Sequence, residues 1–480
     1  MRHGVRGVMA LVGGLSLASH AQDVTYEART VVNWEYSDRL FVVRADLDED
    51  AQTDEGAHPP MRPVSDAYWV LQPGLTAALN GRYGSLSLRY DIGRTLYQRY
   101  DELDGWRHHF GAGLTVGLGP AVDLTLRYDW LRSEQATWLA VDRALLAAEA
   151  AGAPDEAAGA PEVDEPDIRE RYTDRTTAAR IRYAPGDAIA VMAGATQRVR
   201  EGAGELDGYT RDRGDVALDW RGAYGWNARI ATAYGKGEFQ RGADVRETEL
   251  HVGVGRDFAQ DWNWGARYRL HQLERQDEAG TPETGYRLHT PALSVAYRKP
   301  RGGGVALTGG LARRVPDDSE EPIDMRFTGR LDLARVFERG DIALELRTGH
   351  ADGTYSRDRY NSAWYREVGG RSDYGITRFV RVGAFFTYRV DDYTVDRAAD
   401  DEDARPAPAS PYSTRMGFRL RYAPRDWLAT ECLYVRTDRY SLALDERYVE
   451  NRVVLALSLR ASYRAGAIAL PSGLFPSDVP

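Results

Sequence analysis

Residues 67–97 read AYWVLQPGLTAALNGRYGSLSLRYDIGRTLY, and their alternation decides the fold. Trp69, Leu71, Leu75, Ala77 and Leu79 share one parity and so lie on one face of an extended strand, whose successive side chains point to opposite sides. Asn80-Gly81 is a strong hairpin signal, because both residue types accept positive φ. The chain returns with Leu86, Leu88, Tyr90 and Ile92 on one face and Ser85, Ser87, Arg89 and Asp91 on the other. Each arm has about the ten residues that a tilted strand needs to cross a bilayer. One apolar face and one charged face make a hairpin with lipid on one side and water on the other.

The N-terminus is expected to be a signal peptide over residues 1–21. Arg2 and Arg6 form its positive region, Val8–Leu17 its apolar stretch, and Ser19-His20-Ala21 its small-residue cleavage site, with Gln22 starting the mature chain. No Cys follows the apolar stretch, which argues against a lipoprotein anchor. Beyond it no apolar run approaches the ~20 residues of a membrane helix, so any crossing must use strands. A mean hydropathy of −0.51 fits this, since a barrel turns only alternate residues to lipid. Tyr (28) and Trp (11) dominate the aromatics, and both favour membrane interfaces. The single Cys432 excludes an intramolecular disulfide framework. A net charge of −10 is too acidic for a nucleic-acid partner. Among the 62 basic residues only Lys236 and Lys299 are Lys; the rest are Arg.

The pattern recurs to the end of the chain as 20 alternating segments, the first Val24–Tyr36 and the last Tyr448–Tyr463. Gly119-Pro120, Ala184-Pro185-Gly186-Asp187, Arg339-Gly340-Asp341 and Ala423-Pro424-Arg425-Asp426 mark turns between them. Short turns are read as alternating with long, polar, acidic connections, such as Asp391–Pro411. Outer-membrane barrels have this asymmetry, with short periplasmic turns and long extracellular loops. The predicted fold is therefore an all-β, transmembrane, antiparallel up-and-down β-barrel of about 20 (18–20) strands over residues 22–463, with residues 464–480 as a C-terminal periplasmic tail. Location in the outer membrane of a Gram-negative cell, with lipid as a partner, follows from that architecture.

YWVLQPGL (68–75), SLRYDIGRTLYQRYD (87–101), the turns RYAPGD (182–187) and RYAPRD (421–426), and YVENRVVLALSLRASY (448–463) resemble outer-membrane β-barrel proteins encoded beside exopolysaccharide synthesis genes. The resemblance covers most of the mature chain. It implies a porin-like barrel that exports a polysaccharide, with periplasmic export machinery as a partner. Two features depart from the pattern: a tail follows the closing Tyr463, and the connection Glu134–Glu170 is unusually long.

Parity assigns the polar face Arg89, Arg127, Arg180, Arg182, Arg229, Arg267, Arg269, Arg326, Arg330, Arg347, Arg381, Arg389, Arg415, Arg419, Arg421, Arg452 and Arg460. Fewer carboxylates are expected there: Asp91, Asp123, Asp129, Asp219, Asp332, Glu345, Glu431 and Glu450. Guanidinium groups stay charged and bind carboxylate or phosphate in a fork, so this wall would concentrate anions at many weak sites. The same Arg residues could instead pair with neighbouring acids and stiffen the wall. Thr137–Ala151 has helix-forming composition and could lid the pore, or be an inert loop.

No catalytic constellation emerges. His108, His109, His251, His271, His289 and His350 are scattered without a convergent nucleophile, Asp400–Asp403 lacks calcium-loop spacing, and Gly302–Gly304 reads as a turn. No enzyme, metal or cofactor is expected. The functional expectation is a channel exporting an anionic exopolysaccharide through an Arg-rich lumen. The alternative is a general or anion-preferring diffusion porin for small solutes, and a third possibility is an adhesive or structural barrel with a blocked lumen.

Overall fold

A computed structural model of the chain describes residues 21–43, 61–99, 104–133, 171–203, 208–239, 244–259, 261–276, 282–299, 302–317, 323–352, 361–395, 412–441 and 446–465. The signal-peptide region before Ala21, the connection Glu134–Glu170 with its helix-forming segment, Asp400–Asp403 and the tail beyond Ala465 lie outside them.

The chain opens with β1 (Ala21–Val43) and the hairpin of β2 (Met61–Gly81) and β3 (Gly84–Tyr97), followed by β4 (Gly105–Gly117), β5 (Val122–Ser133), β6 (Arg171–Tyr183) and β7 (Ile189–Ala203). The next strands are β8 (Tyr209–Arg221), β9 (Trp226–Phe239), β10 (Asp244–Ala259), β11 (Trp262–Gln276), β12 (Pro282–Lys299) and β13 (Gly303–Pro316). The series ends with β14 (Asp324–Phe337), β15 (Gly340–Asp352), β16 (Asn361–Gly375), β17 (Val380–Val395), β18 (Tyr412–Arg425), β19 (Leu428–Ser441) and β20 (Glu446–Ala465). Each pairs antiparallel with its sequence neighbours, and β1 closes on β20 from Val24↔Ala465 to Ser37↔Arg452. The result is a closed, 20-stranded up-and-down barrel.

Closure satisfies the backbone groups that an open sheet edge would leave to lipid. The exposed large apolar residues then fall on one face all the way round. Leu88, Leu126, Val252, Phe386 and Leu457 lie on this outer belt, as parity predicts. Aromatics edge it: Tyr83, Trp220, Trp262, Phe337 and Trp427 near the short turns, and Trp69, Trp106 and Phe327 toward the other end.

Three sequence expectations change. The β2–β3 reversal is made by Arg82-Tyr83, with Gly81 opposite Gly84, and neither Asn80 nor Gly81 has positive φ. A two-residue displacement leaves every side chain on its expected face. Gly84 is needed instead for approach to β4, because a Cβ there would run into the Thr115 carbonyl. Strands are also longer than the bilayer requires: β1 has 23 residues and β2 has 21. Finally, the alternation of short and long connections is not strict, since 240–243 is as short as the turn at 222–225.

The wall parts at one place. β14 pairs with β13 up to Arg314↔Asp324, but with β15 only as far as Gly329↔Thr348. Above that, β15 stays with β16 up to Asp352↔Ser362. The His350 ring (β15) is 5.5 Å from that of Tyr286 (β12), and the Arg326 guanidinium (β14) lies 5.4 Å over Trp364 (β16). Arg326 also ion-pairs with Asp392 of β17. Strands three apart in a continuous ladder are separated by about 14 Å. The upper β15–β17 segment must therefore lean across the inner face of β12–β14. Trp364, on the outer parity, is accordingly only 4% exposed.

Candidate functional site

The register places every Arg predicted for the polar face on the side opposite the apolar belt. Most do not stand alone. Arg182 meets Asp123 at 3.5 Å, Arg229 meets Asp219 at 3.7 Å, and Arg330 meets Asp332 and Glu345, each at 2.8 Å. Arg347 also pairs with Glu345, Arg389 with Asp391 at 2.7 Å, Arg452 with Glu35 at 2.7 Å, and Arg460 with Glu27 at 2.6 Å. Parity reading undercounted the acids: Glu35, Asp174, Asp215, Glu247, Glu249, Asp373 and Asp391 join those expected. The expected cationic wall is largely a lattice of neutralised pairs.

Four further pairs share a construction that spacing along one strand does not reveal. An Arg and an acid on strands two apart face each other across an inward glycine on the strand between. Arg29 reaches Asp91 at 3.2 Å across Gly74, where a Cβ would strike the carboxylate. Arg213 reaches Glu249 at 2.9 Å beside Gly235, and Arg419 reaches Asp373 at 2.8 Å across Gly383. Arg180 and Asp215 flank Gly194 in the same way, at 4.0 Å. Glycine lacks the side chain that would stand between two flanking strands, so a guanidinium can span the gap. Further partners thicken the lattice: Arg89 at 2.5 Å and His109 at 3.4 Å on Asp91, and Arg269 at 3.0 Å on Glu249.

Against this background four predicted positions differ. Arg127, Arg267, Arg381 and Arg421 have no carboxylate partner among the described residues. At Gly253 both flanking positions carry Arg, with Arg229 on β9 and Arg267 on β11, and Arg229 is drawn off to Asp219. The charged neighbours of Arg267 are Arg269 and Arg330, both cations. Arg381 and Arg421 lie directly opposite one another on β17 and β18. The Arg415 guanidinium lies over the Phe385 ring, 5.9 Å from its centroid.

A second zone lies near the ends of the strands remote from the short turns. Tyr68, Tyr97, Tyr172, Tyr209, Phe239, Tyr286 and Tyr365 turn inward there to form a collar. Tyr68 and Tyr97 are 4.8 Å apart, and Tyr209 and Phe239 are 5.8 Å apart. Arg200 lies 4.9 Å over Tyr172, Arg314 5.0 Å over Tyr286, and Arg389 4.5 Å over Tyr365, all within cation–π range. At the closing seam, Tyr68 Oη donates to Glu35 Oε2 at 2.9 Å and Arg452 Nη2 donates to the same oxygen at 2.7 Å. Ser37 Oγ donates to Glu450 Oε1 at 2.9 Å. Sequence reading assigned the aromatics collectively to the membrane interface. Their parity was the available signal, since Tyr172 shares a face with Arg180 and Arg182, and Tyr68 opposes Trp69.

No group of His, Cys, Asp and Glu suited to a metal ion occurs among the described residues. The geometry offers a charged inner face with local excess of cation and a rim of largely buried pairs. No family model and no curated protein matches the chain. Among solved structures it is similar to Pseudomonas aeruginosa OccK2 in complex with glucuronate (13% identity, TM-score 0.42, covering 91% of this chain and 98% of that one). It is also similar to a BenF-like porin from Pseudomonas fluorescens Pf-5 (10% identity, TM-score 0.42, 91% and 99%). A third similarity is to the siderophore receptor PirA of Acinetobacter baumannii (8% identity, TM-score 0.49, 90% and 80%).

Proposed function

We propose that the chain is an outer-membrane diffusion channel that favours small anionic solutes. The observation that carries this is the uneven neutralisation of the inner wall. Asp91, Asp123, Asp219, Asp332 and Glu345 are each engaged by Arg, while Arg127, Arg267, Arg381 and Arg421 are left as open guanidinium groups. Open guanidinium groups spaced around a wall give weak, exchangeable anion sites, the condition for passage rather than capture. Export of an anionic polysaccharide, with periplasmic machinery driving the polymer, is carried only by the sequence resemblance. The same wall charges serve a small solute with no driving partner, so the small-solute reading leads.

The test is the reversal potential of the purified channel in planar bilayers under a salt gradient. Wall fields decay over ~8 Å at physiological salt, so the expected anion preference is modest and fades as salt rises. Changing Arg127, Arg267, Arg381 and Arg421 together to Glu is expected to move the reversal potential toward cations. A wild-type channel that prefers cations at low salt, or a variant indistinguishable from it, would overturn the proposal. Loss of surface polysaccharide in a deletion strain, with small-solute uptake unchanged, would transfer the function to export.

A further inference from the structure

Apart from the collar, Phe385 is the one inward-facing Phe, Tyr or Trp among the described residues. It stands on β17 opposite Arg371 of β16 and Gly417 of β18. Its ring lies across Gly417, where a Cβ would sit 2.5 Å from Phe385 Cζ. The ring is thus laid along the wall and offers a flat face to the lumen. Gly369 leaves the inner face on one side of it without a side chain, while Gly383 lies under the Arg419–Asp373 pair. One step toward the short turns, the Arg419–Asp373 pair is internally neutralised at 2.8 Å. Two cations lie at the ring: Arg415, over it at 5.9 Å, and Arg371, opposite it on β16, which has no carboxylate partner among the described residues. Parity reading passed over both Arg371 and Phe385.

We infer that Phe385, Arg371 and Arg415 form a subsite for a flat aromatic carboxylate, on the premise that the channel passes small anions. The solute ring would stack on Phe385, while its carboxylate accepts hydrogen bonds from Arg371 or Arg415. Phe carries no polar handle, so its contribution favours a flat apolar ring over an acyclic acid of equal charge. The guanidinium groups supply charge without regard to ring shape. The two contributions can therefore be separated by experiment.

Calorimetric titration of the purified full chain with benzoate, cyclohexanecarboxylate and acetate at low salt makes that separation. Benzoate is expected to bind about threefold or more tightly than cyclohexanecarboxylate, the range of one aromatic pair. Phe385→Leu should erase that advantage, Phe385→Tyr should keep it, and Arg371→Gln should weaken both ring acids alike. Equal binding of the two ring acids, no measurable benzoate binding, or an advantage that survives Phe385→Leu would overturn the subsite. The reversal potential of Phe385→Leu is read in parallel. Retained anion preference with no benzoate advantage in the wild type removes the subsite alone, whereas a cation-preferring wild type removes the channel reading.

Discussion

The collar and the wall below it use the same residue types to opposite ends. In the collar, Glu35 is 1% and its partner Arg452 11% exposed, and Arg389 and Asp391 are 6% exposed each. On the wall, Arg182 and Asp123 are about half exposed, at 51% and 50%. A desolvated pair is bound to its geometry, because removing one member leaves a buried charge without compensation. A wet pair contributes little and exchanges readily with water and ions. Identical chemistry thus gives a rigid rim at one level and a replaceable lining at another. Phe, Tyr and Trp rings reinforce the contrast, since they lie over guanidinium groups in the collar and, Phe385 excepted, are missing from the described inner face below it.

Four substitutions would break or sharpen that contrast. The largest effect is expected for Glu35→Leu, which removes the buried carboxylate to which both Arg452 and Tyr68 donate. About 3–5 kcal/mol should be lost in urea unfolding from lipid vesicles. A cost below ~1 kcal/mol would show that the collar pairs behave as wet ones. Next comes Val252→Arg on the lipid belt, at ~2–4 kcal/mol near the midplane. His251→Arg, one residue away on the inner face, should cost little in the same assay; equal costs would mean the facing of β10 is wrong. The smallest effect belongs to Asp123→Asn on the wall, expected below about 1 kcal/mol. A loss as large as that of Glu35→Leu would erase the distinction between the two levels.

Much of this architecture was legible in the sequence because a strand offers only two faces. Once Leu88 and Arg89 are assigned, every residue of β3 is assigned, and neighbouring strands follow from their own apolar parity. Heights were not legible, because they depend on the stagger between strands, which no single strand encodes. Glu35 and Arg452 are 417 positions apart, and only closure of the barrel brings them together. The glycine-spanned pairs fall in the same class. Gly74, Gly194, Gly235 and Gly383 are ordinary in their own strands and acquire meaning only from the strands on either side. The Arg ladder was therefore visible from parity, but its sorting into paired and open members was not.

The parting of β14 from β15 has a mechanical consequence. From the short turns up to Gly329↔Thr348 the barrel is a complete hoop, and widening it means breaking backbone hydrogen bonds around the circumference. Beyond that point it is a slit tube, whose diameter is held by the Arg326–Asp392 pair and by the edge-to-face contacts of His350 with Tyr286 and Trp364. A hoop resists radial load along its whole length, whereas a slit tube yields like a leaf spring hinged at the foot of the slit. The bore of this barrel is thus fixed by its main chain below and by a handful of side chains at its mouth.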